Sequence, residues 1–376
     1  MKKYTLKQFP FVIRGGSDKN YEETNISGEE RFNRDYNLYC KNYPYTPSIL
    51  PPVSRIIVMG DIHGDYELAI QMLKLGRLIE IKNNKIIWTG GDTVVVQVGD
   101  QIDRCRPIGN LTCENEKTTY NDEASDINIL KLFTDLDIQA RKVGGLVISL
   151  LGNHELMNSL GQLSYVSHLG IDEFKEYKDS ENPDYIFESP YEARKYAFSP
   201  GNEYGKFLGC TRLSAVIIGS NLFVHAGFVD SIIDLLEIKK RDDIEKINRA
   251  IKQWLLGLLE SKQVRKLVTS KNSIFWTRIL GTIPPNTNNK TCTENLDKVL
   301  KIFKINSIIV GHTPQSFSYN DGINSTCDSK IWRVDIGSSS AFHKFDTEFI
   351  KNGNISKNRR PQVLEIINDN IYNILG

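Results

Sequence analysis

Five short motifs place metal-capable side chains beside glycine: Gly60-Asp61-Ile62-His63-Gly64-Asp65, Gly99-Asp100-Gln101-Ile102-Asp103-Arg104, Gly152-Asn153-His154-Glu155, His225-Ala226-Gly227 and Gly311-His312-Thr313. Each follows an apolar run, so each reads as the turn that leaves a β-strand. In α/β sheets, ligands bind in the crevice at the carboxyl ends of the strands. Five such ends converging there would gather oxygens from Asp61, Asp100 and Asn153 with the imidazoles of His63, His225 and His312. A mixed oxygen and nitrogen set suits Mn, Fe, Zn or Ni and does not suit Ca. Taken singly, a strand-end Asp is more often a helix N-cap than a ligand. Five motifs in one chain are hard to explain one cap at a time.

Hydrophobic periodicity supplies the elements that must position them. Arg55–Met59 is a β-branched run leading into the first motif, followed by an amphipathic helix from Tyr66 to about Leu75. Asp92–Val98 and Leu146–Leu151 read as buried strands ahead of the second and third motifs. Between them Ala124–Lys142 is helical, with Ile127, Leu130 and Phe133 on one face and Gly144-Gly145 as its stop signal. Val216–Ile218 and Leu222–Val224 precede His225, Ser307–Val310 precedes His312, and Ile331–Asp335 and Gln362–Ile366 are further strands. Asp242–Glu260 is a helix with Ile244, Ile247, Ile251, Trp254 and Leu258 on one face. Strands alternating with helices imply an α/β fold with a largely parallel or mixed central sheet. Residues 1–50 read as an N-terminal extension, with a strand-like run at Phe9–Arg14 and an extended arm at Tyr43–Pro52. Residues 51–376 read as the main domain. Within it, the charged and aromatic stretch at about 160–210, broken by Pro183, Pro190 and Pro200, reads as a cap inserted over the sheet.

Composition excludes several classes. The chain has 376 residues, with 47 Lys+Arg against 46 Asp+Glu and a formal charge of +1. It lacks the basic excess that supplies non-specific nucleic-acid affinity, so no nucleic-acid partner is expected. No apolar run is long enough to span a bilayer, so no membrane partner is expected either. Met1–Leu6 lacks the apolar region of a signal peptide. The six cysteines (Cys40, Cys105, Cys113, Cys210, Cys292 and Cys327) include no CxxC pair. They read as reduced thiols of an intracellular, cytoplasmic protein. Any phosphate would then be held by a few placed groups rather than by a general field.

With these motifs in this order, the sequence resembles the calcineurin-like metallophosphoesterases from about residue 55 to about residue 345. It is most similar to the phosphoprotein phosphatase branch, whose motifs are GDxHG, GDxxDRG and GNHE followed by two later histidines. Finer features resemble the bacterial-type, Shewanella-like protein phosphatases: Gly91-Asp92-Thr93 leading to Val96-Gln97-Val98-Gly99-Asp100, then Gly152–Asn158, then Arg333-Val334-Asp335-Ile336-Gly337-Ser338. The resemblance implies an α/β/β/α sandwich with mixed central sheets and an inserted cap. It also implies two divalent metal ions, Mn being expected and Fe or Zn the alternatives. Asp61 and His63 would hold one ion, Asp100 would bridge both, and Asn153, His225 and His312 would hold the second. A metal-bridging hydroxide would then attack phosphorus in line. His154 would protonate the leaving alkoxide, oriented by Asp103. Arg104, Arg278 (in Phe275-Trp276-Thr277-Arg278) and Asn153 would bind the substrate phosphate. The position two residues after His312, a further ligand in the diesterase branches of the superfamily, is Pro314, which cannot ligate. The resemblance therefore implies a phosphomonoester hydrolase, a serine/threonine protein phosphatase with phosphotyrosine as a further candidate substrate, whose partner is a phosphorylated protein or peptide. A hydrolase of small phosphate esters or dinucleoside polyphosphates is the first alternative, since fold alone does not choose a substrate. An inactive phosphate-binding module is the second, and the complete set of ligand positions counts against it.

One position departs from the family pattern. The glycine of GDxxDRG is Cys105, followed by Arg106 and an insertion over Pro107–Asn121. If this position needs a positive φ, cysteine there is strained. A tolerated loop substitution and a redox-sensitive thiol beside two arginines are the two readings. His168 and His343 match no ligand position.

Overall fold

The structure, a computed structural model, describes residues 28–107, 109–344 and 359–376. The run Phe9–Arg14 lies outside the described residues. Fourteen strands are found among the described residues: β1 (Ile49–Leu50), β2 (Arg55–Met59), β3 (Ile79–Lys82), β4 (Lys85–Trp88), β5 (Val94–Gln97), β6 (Leu146–Leu150), β7 (Arg212–Leu213), β8 (Ala215–Ile218), β9 (Asn221–Val224), β10 (Ser307–Val310), β11 (Asn324–Thr326), β12 (Ile331–Arg333), β13 (Val363–Ile367) and β14 (Ile371–Leu375). They form two six-stranded sheets, ordered β14-β13-β2-β5-β6-β7 and β1-β8-β9-β10-β12-β11, with β3-β4 as a separate hairpin. The pairs β2–β5, β5–β6, β9–β10 and β10–β12 are parallel, whereas β13 runs antiparallel to β2 and β8 antiparallel to β9. Both sheets are therefore mixed, as expected.

Period-2 patterning explains the layering. Ile56 and Val58 of β2, Val94 and Val96 of β5, and Ile148 and Leu150 of β6 face Val216 and Ile218 of β8, Phe223 of β9 and Ile309 of β10 in one core between the sheets. The alternate residues face outward and are buried by helices. Ile57, Met59, Val95 and Val147 pack under the helices Tyr66–Leu75 and Asp126–Arg141. Ile217, Leu222, Val224, Ile308 and Val310 pack under the helices Asp243–Leu255 and Lys290–Phe303. Strands buried on both faces need near-continuous apolar runs, which is why the sequence showed them so plainly. The result is the α/β/β/α sandwich.

Residues 160–210 fold into the helices His168–Asp172, Pro190–Phe198 and Glu203–Thr211, and Ala193, Ala197, Phe198 and Leu208 join the outer core beside Phe228 and Trp254. Residues 28–50 also dock on the sandwich. Phe32 and Tyr36 of the helix Gly28–Tyr39 are buried, the Tyr36 hydroxyl donates to Cys210 O at 2.7 Å, and β1 pairs in parallel with β8.

The cysteine reading is overturned. All six cysteines pair, as Cys40–Cys210, Cys105–Cys113 and Cys292–Cys327, at sequence separations of 170, 8 and 35. Separations this unequal carry no local signature; the fold brings the sulfurs together. Cys105 is also not among the residues with positive φ, so its replacement of glycine carries no left-handed strain. Among the described residues, no helix is long and apolar enough to cross a membrane.

Candidate active site and metal centre

The carboxyl ends of β2, β5, β6, β9 and β10 deliver the five motifs to one place. Two buried groups of ligand atoms form there, His63 with Asp100 and His154, and Asp100 with His225 and His312, the atoms of each group lying within 4.8 Å of one another. Asp100 is common to both. Its Oδ2 stands 3.3 Å from His225 Nε2, 3.9 Å from His63 Nε2 and 3.9 Å from His154 Nε2. Asp61 Oδ2 is 3.8 Å from His63 Nε2, and Asn153 Oδ1 is 3.0 Å from His225 Nε2. The chain turns sharply to achieve this: His63, Asp100, Asp103 and His312 are all left-handed, with φ of 50°, 53°, 74° and 66°. Such conformations in non-glycine residues cluster at functional sites. Two glycines make room. A Cβ at Gly152 would lie 2.1 Å from Asp100 Oδ1, and one at Gly311 would lie 2.3 Å from Asp61 Oδ1.

The hydrogen bonds around the histidines settle which nitrogen faces inward, because a carbonyl can only accept. His225 Nδ1 donates to Val98 O at 2.9 Å, leaving the Nε2 lone pair toward Asp100 and Asn153. His312 Nε2 donates to Trp276 O at 3.1 Å, leaving Nδ1. His63 Nδ1 is buried with no partner among the described residues. Converging imidazole lone pairs, an amide oxygen and two carboxylates form a donor set for divalent cations of the Mn, Fe or Zn type.

The fields at the site shift its members in different directions. Burial, reinforced by Asp335 and Asp100, pushes the Asp61 carboxyl well above the usual carboxylate range. Burial would also raise Asp100, but the fields of His225 and His154 and the hydrogen bond to His225 bring it well below that range. Burial, with Arg106 and His154 nearby, holds His63 well below the usual imidazole value. For His312, burial is joined by His225 and Arg278, with the same effect. His63 and His312 therefore stay neutral, the form a metal ligand needs, whereas burial would lower His225 but the field of Asp100 and the hydrogen bond to it raise it above the usual imidazole value.

His154 sits beside this centre. Its Nδ1 lies 2.7 Å from Asp103 Oδ2, which fixes the ring and leaves Nε2 free of that bond. Its backbone N–H donates to Asp100 Oδ1 at 3.0 Å. Arg278 donates from Nη1 to His312 O at 2.7 Å and is exposed at the edge of the centre. Arg104 is buried, donates from Nη1 to Gly64 O at 2.8 Å, and has Glu123 at 3.3 Å and Asp65 at 3.6 Å. His168 is held by Glu114 O at 3.0 Å and His343 stacks on Tyr120 at 3.8 Å; neither belongs to the clusters of ligand atoms.

The structure adds residues that the sequence reading gave no role. Glu155 accepts from the N–H groups of Gly152 (2.7 Å), Gln101 (2.7 Å) and Asp100 (3.0 Å), tying the second motif to the third. Asn158 donates to Asp103 Oδ1 at 2.9 Å and accepts from Arg194 Nε at 2.9 Å. Arg194, fully buried, also donates to Asp126 Oδ2 at 2.8 Å and Gly170 O at 2.8 Å. Asp335 is buried, with Oδ2 unpartnered among the described residues, and burial lifts its carboxyl to about 6. Glu155 and Asn158 lie inside a motif already singled out. Arg194 has no local signal; only the fold points its guanidinium at Asn158.

With this geometry established, comparison with known proteins becomes specific. A family model described as calcineurin-like phosphoesterase matches residues 54–316. An uncharacterized protein, R398 of Acanthamoeba polyphaga mimivirus, is 37% identical over 252 residues, covering 63% of this chain and 94% of its own. Shewanella-like protein phosphatase 2 of Arabidopsis thaliana is 26% identical over 317 residues, covering 76% of this chain and 71% of its own. Among solved structures, a cold-active protein-tyrosine phosphatase of a psychrophilic Shewanella superposes with a TM-score of 0.58 at 22% identity, over 95% of this chain and 87% of that one, and so shares the fold. The chain belongs to the calcineurin-like phosphoesterase family.

Proposed function

We propose that this protein is a metal-dependent protein phosphatase, hydrolysing phosphomonoesters of Ser and Thr, and of Tyr, in phosphorylated proteins or peptides. The observation that supports it best is the pairing of a shared carboxylate, Asp100, with imidazoles on both sides and with His154 oriented by Asp103. Asp61 and His63 would hold one cation, Asn153, His225 and His312 the other, with Asp100 between them; manganese fits the donor set. Bound there, the cations would supply Lewis-acid charge and lower the pKa of water. The protein's own part is to bind, orient and move protons. His154 Nε2 delivers a proton to the departing alkoxide, and the Asp103 bond at Nδ1 keeps the ring in that tautomer. Asn153, Arg104 and Arg278 are the candidate phosphate-binding side chains. The catalytic unit is read as residues 51–376, with 1–50 as an extension and 160–210 as a cap. Names among the relatives favour a phosphoprotein substrate: Arabidopsis thaliana and Plasmodium berghei both contribute Shewanella-like protein phosphatases. Three disulfides favour an oxidising compartment over the reducing cytoplasm.

The test is a panel of phosphoserine, phosphothreonine and phosphotyrosine peptides and dinucleoside polyphosphates, run beside metal analysis. Exhaustive chelation is expected to abolish turnover, and manganese to restore it best. Faster hydrolysis of dinucleoside polyphosphates than of every phosphopeptide, or turnover that survives chelation, would overturn the reading.

A further inference from the structure

None of the roles above uses Arg106. Its loop is pinned on both sides: the Cys105 N–H donates to Tyr165 O at 3.0 Å, and the Cys105 sulfur is bonded to Cys113. The guanidinium lies over two rings, 4.7 Å from the centroid of Phe342 and 5.5 Å from that of Tyr165. Each ring abuts an imidazole of the site. Phe342 meets His63 edge-on at 5.4 Å, Tyr165 meets His154 at 5.2 Å, and His63 meets His154 at 4.8 Å. Arg106, Phe342, His63, His154 and Tyr165 thus form a closed circuit of side chains beside Asp100.

Within that circuit, Arg106 Nη1 donates to Asp103 O at 3.1 Å and to Cys105 O at 2.7 Å, and no hydrogen bond engages Nε or Nη2 among the described residues. An Nε–Nη2 edge left in this state can take two oxygens of one phosphate side by side. The flanking rings hold the guanidinium plane by cation–π contact, so less rotamer freedom is lost when a ligand arrives. Arg104 leaves the same edge open, its Nε buried without a partner among the described residues, but Gly64 O occupies its Nη1 and Asp65 and Glu123 already balance its charge.

We propose that Arg106 is a substrate-contacting residue that binds the phosphate through Nε and Nη2, and that its charge favours a dianionic phosphomonoester over a monoanionic diester. The proposal rests on the phosphatase reading and names the group that completes its phosphate site. The Cys105–Cys113 bond then has a use: it fixes the backbone on which this arginine stands.

Inorganic phosphate is the probe. Calorimetric titration of the manganese-loaded wild type, Arg106→Gln and Arg106→Lys measures its affinity without turnover, and kinetics on p-nitrophenyl phosphate and bis(p-nitrophenyl) phosphate run beside it. Arg106→Gln is expected to weaken phosphate binding, and to raise KM for the monoester, by about tenfold or more. KM for the diester should change less, Arg106→Lys should fall between, and metal content and unfolding midpoint should stay those of the wild type. Phosphate affinity within about twofold of wild type in the variants that fold, or equal losses on monoester and diester, overturns the proposal. If Arg106→Gln does not fold, Arg106→Lys decides by the same criteria. A wild type that binds phosphate yet hydrolyses no phosphopeptide would sink the protein-phosphatase reading alone, since the affinity comparison still decides the role of Arg106.

Discussion

At the scale of single residues, Asp100 and Asn158 separate two kinds of contribution. Asp100 faces imidazoles on both sides, whereas Asn158 bonds Asp103, Arg194 and the backbone carbonyl of His154 and belongs to neither cluster of ligand atoms. Removing an outer partner of this kind typically lowers activity about 10–100-fold. Asn158→Ala is therefore expected to fall in that range, and Asp100→Asn to lose more and to lower metal content as well. Turnover and bound metal measured on both purified variants check this. Equal losses with full metal content would remove Asp100 from its shared position.

At the scale of elements, the helices of the 160–210 segment meet the site through buried charge. Glu173, just after the helix His168–Asp172, accepts from Ile127 N at 3.2 Å and lies 3.8 Å from Arg194 of the helix Pro190–Phe198. Burial, with Asp126 adding to it, raises its carboxyl from 4.5 to about 8. The folded value lies above the unfolded one, so the protein holds a proton that the unfolded chain releases. Below about pH 4.5 Glu173 is neutral in both states and its contribution to stability is fully present. That contribution is lost as pH rises through the interval toward about 8, and is constant beyond. Glu173→Gln keeps the acceptor for Ile127 and removes the titration. Its unfolding midpoint should rise relative to wild type as pH goes from 5 to 8, read from parallel thermal melts. A difference that stays flat across that window would show that Glu173 ionises normally in the fold.

For the whole molecule, the disulfides set the strongest expectation. Cys40–Cys210 joins the helix Gly28–Tyr39 to the helix Glu203–Thr211 across 170 residues, and Cys292–Cys327 joins the start of the helix Lys290–Phe303 to the β11–β12 turn across 35. Closing long loops restricts the unfolded chain, by about 5 kcal/mol for the longer one in the chain-entropy model and less where native geometry resists. Peptide mapping under non-reducing conditions should recover all three pairs, with no thiol titrated after denaturation. Cys40→Ser/Cys210→Ser should lower the unfolding free energy by about 2–5 kcal/mol, measured by denaturant titration. Free thiols in the native protein would restore the reduced-cysteine reading.

Much of this protein was legible in its sequence. β2 was read with the bounds it has, and β5, β6, β9 and β10 to within two residues at either end, because doubly buried strands must be apolar throughout and their glycine-bounded ends show where each run stops. The ligand candidates followed from those ends, since a metal site needs particular residue types at particular turns. The helix Asp126–Arg141 was also anticipated, because its amphipathic face faithfully records the sheet it covers. The β3–β4 hairpin was not: its residues are mostly exposed and lack strict alternation. The tertiary structure alone decided what depends on distance in space. It paired six cysteines that no spacing joined and carried Arg194 to Asn158. It set the carboxylates of Asp65 and Glu123 beside Arg104 and two aromatic rings beside Arg106. Local pattern records which face of an element is buried; which side chains meet there is fixed only when the two sheets close on one another.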